Sequence, residues 1–268
     1  MIRSLHTGAT GMKAQQLMID TITNNLSNVN TNGYKRQRLH FKDLMYQTLR
    51  EPGVQNPEGG MAPAGIEVGM GVRVSSIQRV FSQGSLIESR GGFDMAIAGE
   101  GFFQIELPNG VIAYSRDGHF LLDSTGTLVT ADGHRLFPEI VIPEGYDAIE
   151  VSQNGFVTAH RSGMGMNAGD EDSLELGQLE LATFINPGGL RSLGSNLFAE
   201  SAASGVPLIS FPGENNVGTI LHRMLEASNV EIVDEMVGMI QTQRAYEIVS
   251  RSISVSEEML QTATNLKR

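Results

Sequence analysis

Apolar side chains recur every seven positions near the start of the chain, at Leu5, Met12, Ile19 and Leu26, and Ile2, Ala9, Ile22 and Val29 widen the stripe. That period predicts an amphipathic helix over about Arg3 to Val29, roughly 40 Å long at 1.5 Å per residue. Gly8 and Gly11 fall inside it, where each costs about 1 kcal/mol relative to alanine. Asn32-Gly33 follows, a pair tolerant of the left-handed conformation in which helices commonly end.

A second seven-residue series closes the chain: Leu225, Ile232, Met239, Tyr246, Ile253 and Leu260, flanked by Val233, Val237, Ile240, Val249 and Ala263. No proline interrupts it. Ser228 or Asn229 is the expected N-cap, with Glu231, Asp234 and Glu235 near the positive end of the helix dipole; a start nearer Thr219 is the alternative. Each stripe is wider than one partner helix needs, so neighbouring chains are expected to cover the remainder.

Between the ends the texture changes. From Gly65 to about Pro207, short runs rich in Val, Ile, Phe and Leu alternate with the turn signals PNG (108–110), RDG (116–118), DSTG (123–126), ADG (131–133) and QNG (153–155). This predicts antiparallel β structure. Gly- and Pro-rich stretches at 50–72 and 204–218 read as arms. The expected fold is α+β: terminal helices paired as a coiled coil (1–33 and 219–268), extended arms (34–72 and 205–218) and a mainly antiparallel β-rich body (73–204).

Composition narrows the function. The chain has 268 residues, 40% of them hydrophobic, and a formal net charge of −11. That suffices for a core and argues against nucleic acid or an anionic membrane surface as partner. Cysteine is absent, which removes disulfides, thiolate metal sites and a cysteine nucleophile. The N-terminus lacks the apolar run of a cleaved secretory signal, and no stretch approaches the roughly 18 to 20 apolar residues of a membrane span.

Candidate chemistry is sparse. The histidines at 6, 40, 119, 134, 160 and 222 show no metal-ligand spacing, and ordinary surface or hydrogen-bonded histidines are the favoured reading. The GxG triplets in 69–72, 99–103 and 162–169 lack the strand and helix of a phosphate cradle and read as bends. Asp170, Glu171 and Asp172 lack the ligand alternation of a calcium loop. Lys35, Arg36, Arg38 and Lys42, with Tyr34 and Phe41, form a basic cluster better suited to a charge-complementary protein contact than to RNA or DNA. No enzyme, no cofactor and no metal is expected.

Four motifs then carry a resemblance. GMKAQQLMIDTITNNLSNVNTNGYKRQR (11–38) and SNVEIVDEMVGMIQTQRAYEIVSRSISVSEEML (228–260) are similar to the terminal signatures of the bacterial flagellar axial proteins of rod and hook. IAGEGFFQI (97–105) and AYSRDGHFLLDSTGTLVTADG (113–133) resemble the body motifs of that family. The arm FKDLMYQTLREPGVQNPEGG (41–60) is most similar to the distal-rod branch.

The resemblance implies a structural subunit that stacks helically into a hollow, rigid drive shaft across the periplasm and passes torque from motor to hook. It implies export without a cleaved signal through the flagellar type III apparatus. The implied partners are further copies, proximal rod proteins, the hook protein and the P- and L-ring bushing proteins. A proximal rod or hook subunit, and from another class a secreted β-rich enzyme or adhesin, are the alternatives.

The expected assembly interface comprises Leu5, Met12, Ile19, Asn24, Asn25, Leu26, Asn28, Ile232, Met239, Ile240, Gln243, Tyr246, Ile253 and Leu260. The four amides among them are candidates for setting register, since an amide at a packed seam penalises slipped pairings. Tyr46, Gln47, Leu49, Arg50, Pro52 and Gly53 are the expected rod-stiffening arm.

Overall fold

The computed structural model describes residues 2–53, 63–143, 145–161 and 173–265. The chain forms two compact units, each discontinuous in sequence: the first takes 1–27, 37–78 and 231–268, the second 28–36 and 79–230.

In the first unit, α1 (Ile2–Ser27) packs against α2 (Ile232–Asn265). The described part of the expected arm is ladder, in which β1 (Gln37–Asp43) pairs β4 (Val72–Arg79) and β2 (Tyr46–Arg50) pairs β3 (Ile66–Gly69) antiparallel. Residues 54–62 of that arm lie outside the described residues.

The second helix starts later than its sequence signals. Asp234 and Glu235 do occupy its first turn, where negative charge meets the helix dipole favourably. Asn229 is not its cap. Its Oδ1 accepts from the backbone N–H of Arg36 at 2.7 Å, and its Nδ2 donates to the carbonyls of Val80 and Ser82 at 2.8 and 3.1 Å. The Ser228 hydroxyl accepts from Val230 N–H. The earlier start near Thr219 is also excluded, because Thr219–His222 is β19 and Met224–Glu226 is β20. Leu225, read as the first member of the helical series, is a buried strand residue.

The second unit is the β body. One path of strands runs β16 (Arg191–Gly194), β17 (Leu197–Ala199), β8 (Ile112–Ser115), β7 (Phe102–Glu106), β11 (Arg135–Phe137), β10 (Leu128–Thr130), β9 (Phe120–Leu122). The second edge of β7 is shared: Gln104–Glu106 pair β11, while Phe102 and Phe103 pair β15 (Leu181–Thr183), which carries β18 (Leu208–Ser210). A separate three-stranded sheet holds β12 (Tyr146–Val151), β13 (Phe156–Arg161) and β14 (Ser173–Gln178). β5 (Leu86–Glu88) pairs β20, and β6 (Met95–Ala98) pairs β19.

Most of the turn signals sit where two paired strands meet. PNG joins β7 to β8, DSTG joins β9 to β10, ADG joins β10 to β11 and QNG joins β12 to β13, each closed by a backbone bond such as Leu107 N–H to Val111 O at 3.0 Å. RDG is different: it separates β8 from β9, which do not pair, and its Arg116 is buried.

Strand alternation builds two cores on opposite faces of β7. Phe103 and Ile105 enter the larger cluster with Met95, Ile97, Phe120, Leu136 and Ile220. Phe102 enters the smaller one with Tyr114, Phe184 and Phe198, whose rings meet edge to face, as Tyr114 and Phe184 do at 4.8 Å between centroids.

Candidate assembly surface

Three close approaches define the helix pair. A Cβ placed on Gly8 would stand 2.8 Å from Cγ1 of Ile253, one on Gly11 3.7 Å from Cγ1 of Val249, and one on Gly238 3.6 Å from Cδ1 of Ile22. Residue 8 therefore lies beside residue 253 and residue 22 beside residue 238, so the helices run antiparallel. Small residues at these points let the backbones draw near and place more atoms in van der Waals contact.

On α1, Ala14 and Ile22 are buried, while Leu5, Met12, Ile19 and Leu26 are half-buried. On α2, Gly238, Val249 and Ile253 face α1. At 100° per residue the buried Glu235 and Thr242 fall on that same side, with the half-buried Met239 and Leu260. The seven-residue series seen in the sequence thus chiefly marks the seam inside the chain. Its exceptions are Leu225, which lies in β20, and Ile232 and Tyr246, which are exposed.

The opposite side of α2 carries a second apolar stripe. Val233, Val237, Ile240, Ile248, Val255 and Met259 are all exposed, Ile248 to 69%. Their spacings of four, three, eight, seven and four residues keep them near one line on a helix of 3.6 residues per turn. Sequence reasoning placed Ile240 in the expected interface, named Val233 and Val237 only as flanks, and missed Ile248, Val255 and Met259. The missed signal was a second series out of phase with the first.

The expected register-setting amides fall in different places. Asn24 and Gln243 are exposed. Asn25 is 1% exposed, and its side chain donates to the carbonyl of Gln37 and accepts from the N–H of Gln37, both at 2.9 Å. Its amide is thereby engaged inside the chain, tying α1 to β1 as a neighbouring strand would. Asn28 lies past α1, in the turn of the second unit, where it accepts from the backbone and hydroxyl of Thr31 at 3.2 Å.

Of the arm residues, Tyr46, Gln47, Leu49 and Arg50 form β2 with every side chain exposed, and Pro52 and Gly53 follow it, also exposed. Met45, beside them, is 87% exposed. A two-stranded ladder is marginal in water by itself.

The basic cluster needs correction. Arg38 and Lys42 are exposed, but Lys35 is not available to any partner. Its ammonium sits 2.6 Å from Oε1 of Glu226, with both side chains fully buried, and donates to the carbonyl of Ser82 at 2.8 Å. Arg116 reaches the other Glu226 oxygen at 3.4 Å, and Gly84 N–H donates to Oε1 at 2.8 Å. Burial holds Lys35 below the usual lysine range, outweighing the attraction of Glu226, and holds Arg116 down likewise. Gly33 belongs to this same turn: at φ +66° it donates to the backbone carbonyl of Glu226 at 2.8 Å. The pair Asn32-Gly33 therefore serves the body unit rather than ending α1, which stops at Ser27.

Among the described residues, a cluster of serine, histidine and carboxylate has its groups in an order unlike that of a nucleophile and its base. His119 and Ser89 both bond to Asp94, the histidine at 2.8 Å, so the carboxylate stands between hydroxyl and imidazole, the wrong order for activating a serine. A cleft of about 50 Å³ lies nearby, lined by Ser115, Asp117, His119, Thr130, Asp132 and Ser195. Among the described residues no group of three His, Asp or Glu is placed to hold a metal, and no helix is long and apolar enough to cross a membrane. Asp170, Glu171, Asp172 and the GxG triplets of 162–169 lie outside the described residues.

Comparison with known proteins matches three stretches of the chain. Residues 5–35 fit the flagella basal body rod protein family, 96–159 the flagellar hook protein FlgE/F/G D1 domain, and 222–266 the flagellar basal body rod FlgEFG protein C-terminal family. The chain is 46% identical over 270 residues to the flagellar basal-body rod protein FlgG of Borreliella burgdorferi, covering all of both chains. It is 41% identical to FlgG of Caulobacter vibrioides, over 99% of this chain and 100% of the relative, and 36% identical to that of Bacillus subtilis over all of both. With such relatives matched from end to end, the chain belongs to the flagellar basal-body rod protein family.

Proposed function

We propose that this chain is a structural subunit of the distal flagellar rod, which assembles with copies of itself into a hollow, rigid shaft that carries torque from motor to hook. The observation that carries the reading is the apolar stripe on α2 directly opposite its seam with α1. Such a helix is satisfied only by partners on two sides. A contact between unlike faces that does not close on itself generates a helical filament instead of a dimer.

In this reading the interface on α2 is Val233, Val237, Ile240, Ile248, Val255 and Met259, joined by Ile232, Tyr246 and Gln243 from the sequence expectation. The exposed β2–β3 ladder bears on adjacent copies and removes freedom between layers. Proximal rod proteins and the hook protein adjoin the two ends of the shaft, and P- and L-ring proteins surround it. The subunit reaches the basal body by the flagellar type III route. End-to-end likeness to FlgG proteins favours the distal rod over the proximal rod or hook.

Electron microscopy of the purified protein at high concentration tests the proposal. Tubes with helical symmetry are the expected result; particles that stay monomeric at every concentration would overturn it.

A further inference from the structure

The body unit is built from a short piece, residues 28–36, and a long one, residues 79–230. Both of its chain ends converge on one buried carboxylate. Lys35 of the short piece bonds to Oε1 of Glu226 at 2.6 Å, and Arg116, from the middle of the long piece, approaches Oε2 at 3.4 Å. Arg116 also donates to the Gly99 carbonyl at 2.6 Å. Around the triad the backbone is stitched in the same sense: Gly33 N–H to Glu226 O at 2.8 Å, Val80 N–H to Arg36 O at 2.9 Å, and Arg36 N–H to the Asn229 side chain at 2.7 Å.

We infer that the Lys35–Glu226–Arg116 triad is a latch that makes residues 28–36 and residues 224–230, the two exits of the body unit, order and open as one element. The physical reason is the cost of a buried charge left alone. If the short piece peels away, it takes the ammonium with it and exposes Glu226 and Arg116 to an incomplete set of partners. If 224–230 peels away, two buried cations lose the carboxylate they share, the only one within bonding distance of either among the described residues. Either half-open state is penalised far more than both open or both closed. The latch concerns the second unit alone and holds whether or not copies assemble, so its failure is separable from failure of the assembly proposal.

Hydrogen exchange followed by mass spectrometry on the full-length chain tests it, comparing the unaltered protein with Lys35→Met. That substitution keeps the volume and leaves Glu226 paired with Arg116, which favours a folded body. The expected result is exchange faster by about ten- to a hundredfold in peptides covering 28–36 and 224–230, by the same factor in both, with β7 unchanged. Glu226→Gln, which keeps the shape and removes the charge, is expected to act on both segments in the same direction and more strongly. Acceleration confined to 28–36, no acceleration, or equal loss of protection in β7 on Lys35→Met would each overturn the latch.

Discussion

Gly8 and Ile253 meet across the helix pair so closely that a single methyl added to the glycine would stand 2.8 Å from Cγ1 and 3.0 Å from Cδ1 of the isoleucine. In isolation Gly8 weakens α1 by about 1 kcal/mol against alanine; in the pair it gives Ile253 a place to lie. Gly8→Leu is expected to destabilise the helix pair by about 1 to 3 kcal/mol, the usual range for overpacking. Combining it with Ile253→Ala should recover much of that loss. Chemical denaturation followed by the helical circular dichroism signal of the two single variants and the double variant checks this; simple additivity would show that the two residues do not share the space.

Ile248 stands on the uncovered side of α2, 69% exposed. Ile248→Asp is therefore expected to change the stability of the lone chain by no more than about 0.5 kcal/mol, as for most surface substitutions. It should nonetheless abolish tube formation, because a carboxylate would be buried unpaired in the seam between copies. Sedimentation together with thermal unfolding separates the two effects. Normal tubes from this variant would remove the outer stripe from the interface.

Asp117 lines the cleft, with Oδ1 accepting from His119 N–H at 3.1 Å and Oδ2 accepting from Asn196 at 3.4 Å. Burial raises its pKa above the ordinary 3.8, outweighing these bonds. Between 3.8 and the raised value the folded chain binds more protons than the unfolded one, so this group's contribution to stability declines as pH climbs through that window. Asp117→Asn should remove the decline and leave the variant relatively more stable at neutral pH than at acid pH. Urea denaturation of both proteins across the acid range measures it; parallel curves would count against a raised pKa.

The β2–β3 ladder turns apolar side chains to water at Tyr46, Leu49 and Ile66. If neighbouring copies cover them, deleting residues 46–69 should leave a tube that forms but bends, with a persistence length measurably shorter in electron micrographs. Straight, stiff tubes from the deleted chain would assign the arm another role.

How much of this was readable in advance depends on the range of the interaction. The terminal helices follow from local periodicity, and α1 ends within two residues of its expected limit at Val29. The hairpins at PNG, DSTG, ADG and QNG follow from turn chemistry, which also acts within a few residues. RDG carries the same local signal and makes no hairpin, because Arg116 is drawn to Glu226, 110 residues away. Asn229 was legible as a cap by residue type, yet its side chain is taken by Arg36, Val80 and Ser82.

By itself the sequence determined the two terminal helices, the hairpins of the body, and that the ends carry more apolar surface than one chain hides, since each of these is a property of neighbours along the chain. The strands within 37–69 and 208–210, read as arm, and within 219–226, read as helix, depended on pairing with distant partners. Tertiary structure decided which side of α2 meets α1, that Asn25 is spent on Gln37, and that Lys35 is a core residue. Those outcomes depend on groups as far apart as residues 35 and 226, and the energy of a charge or a methyl group is set by what surrounds it in space, which no local pattern encodes.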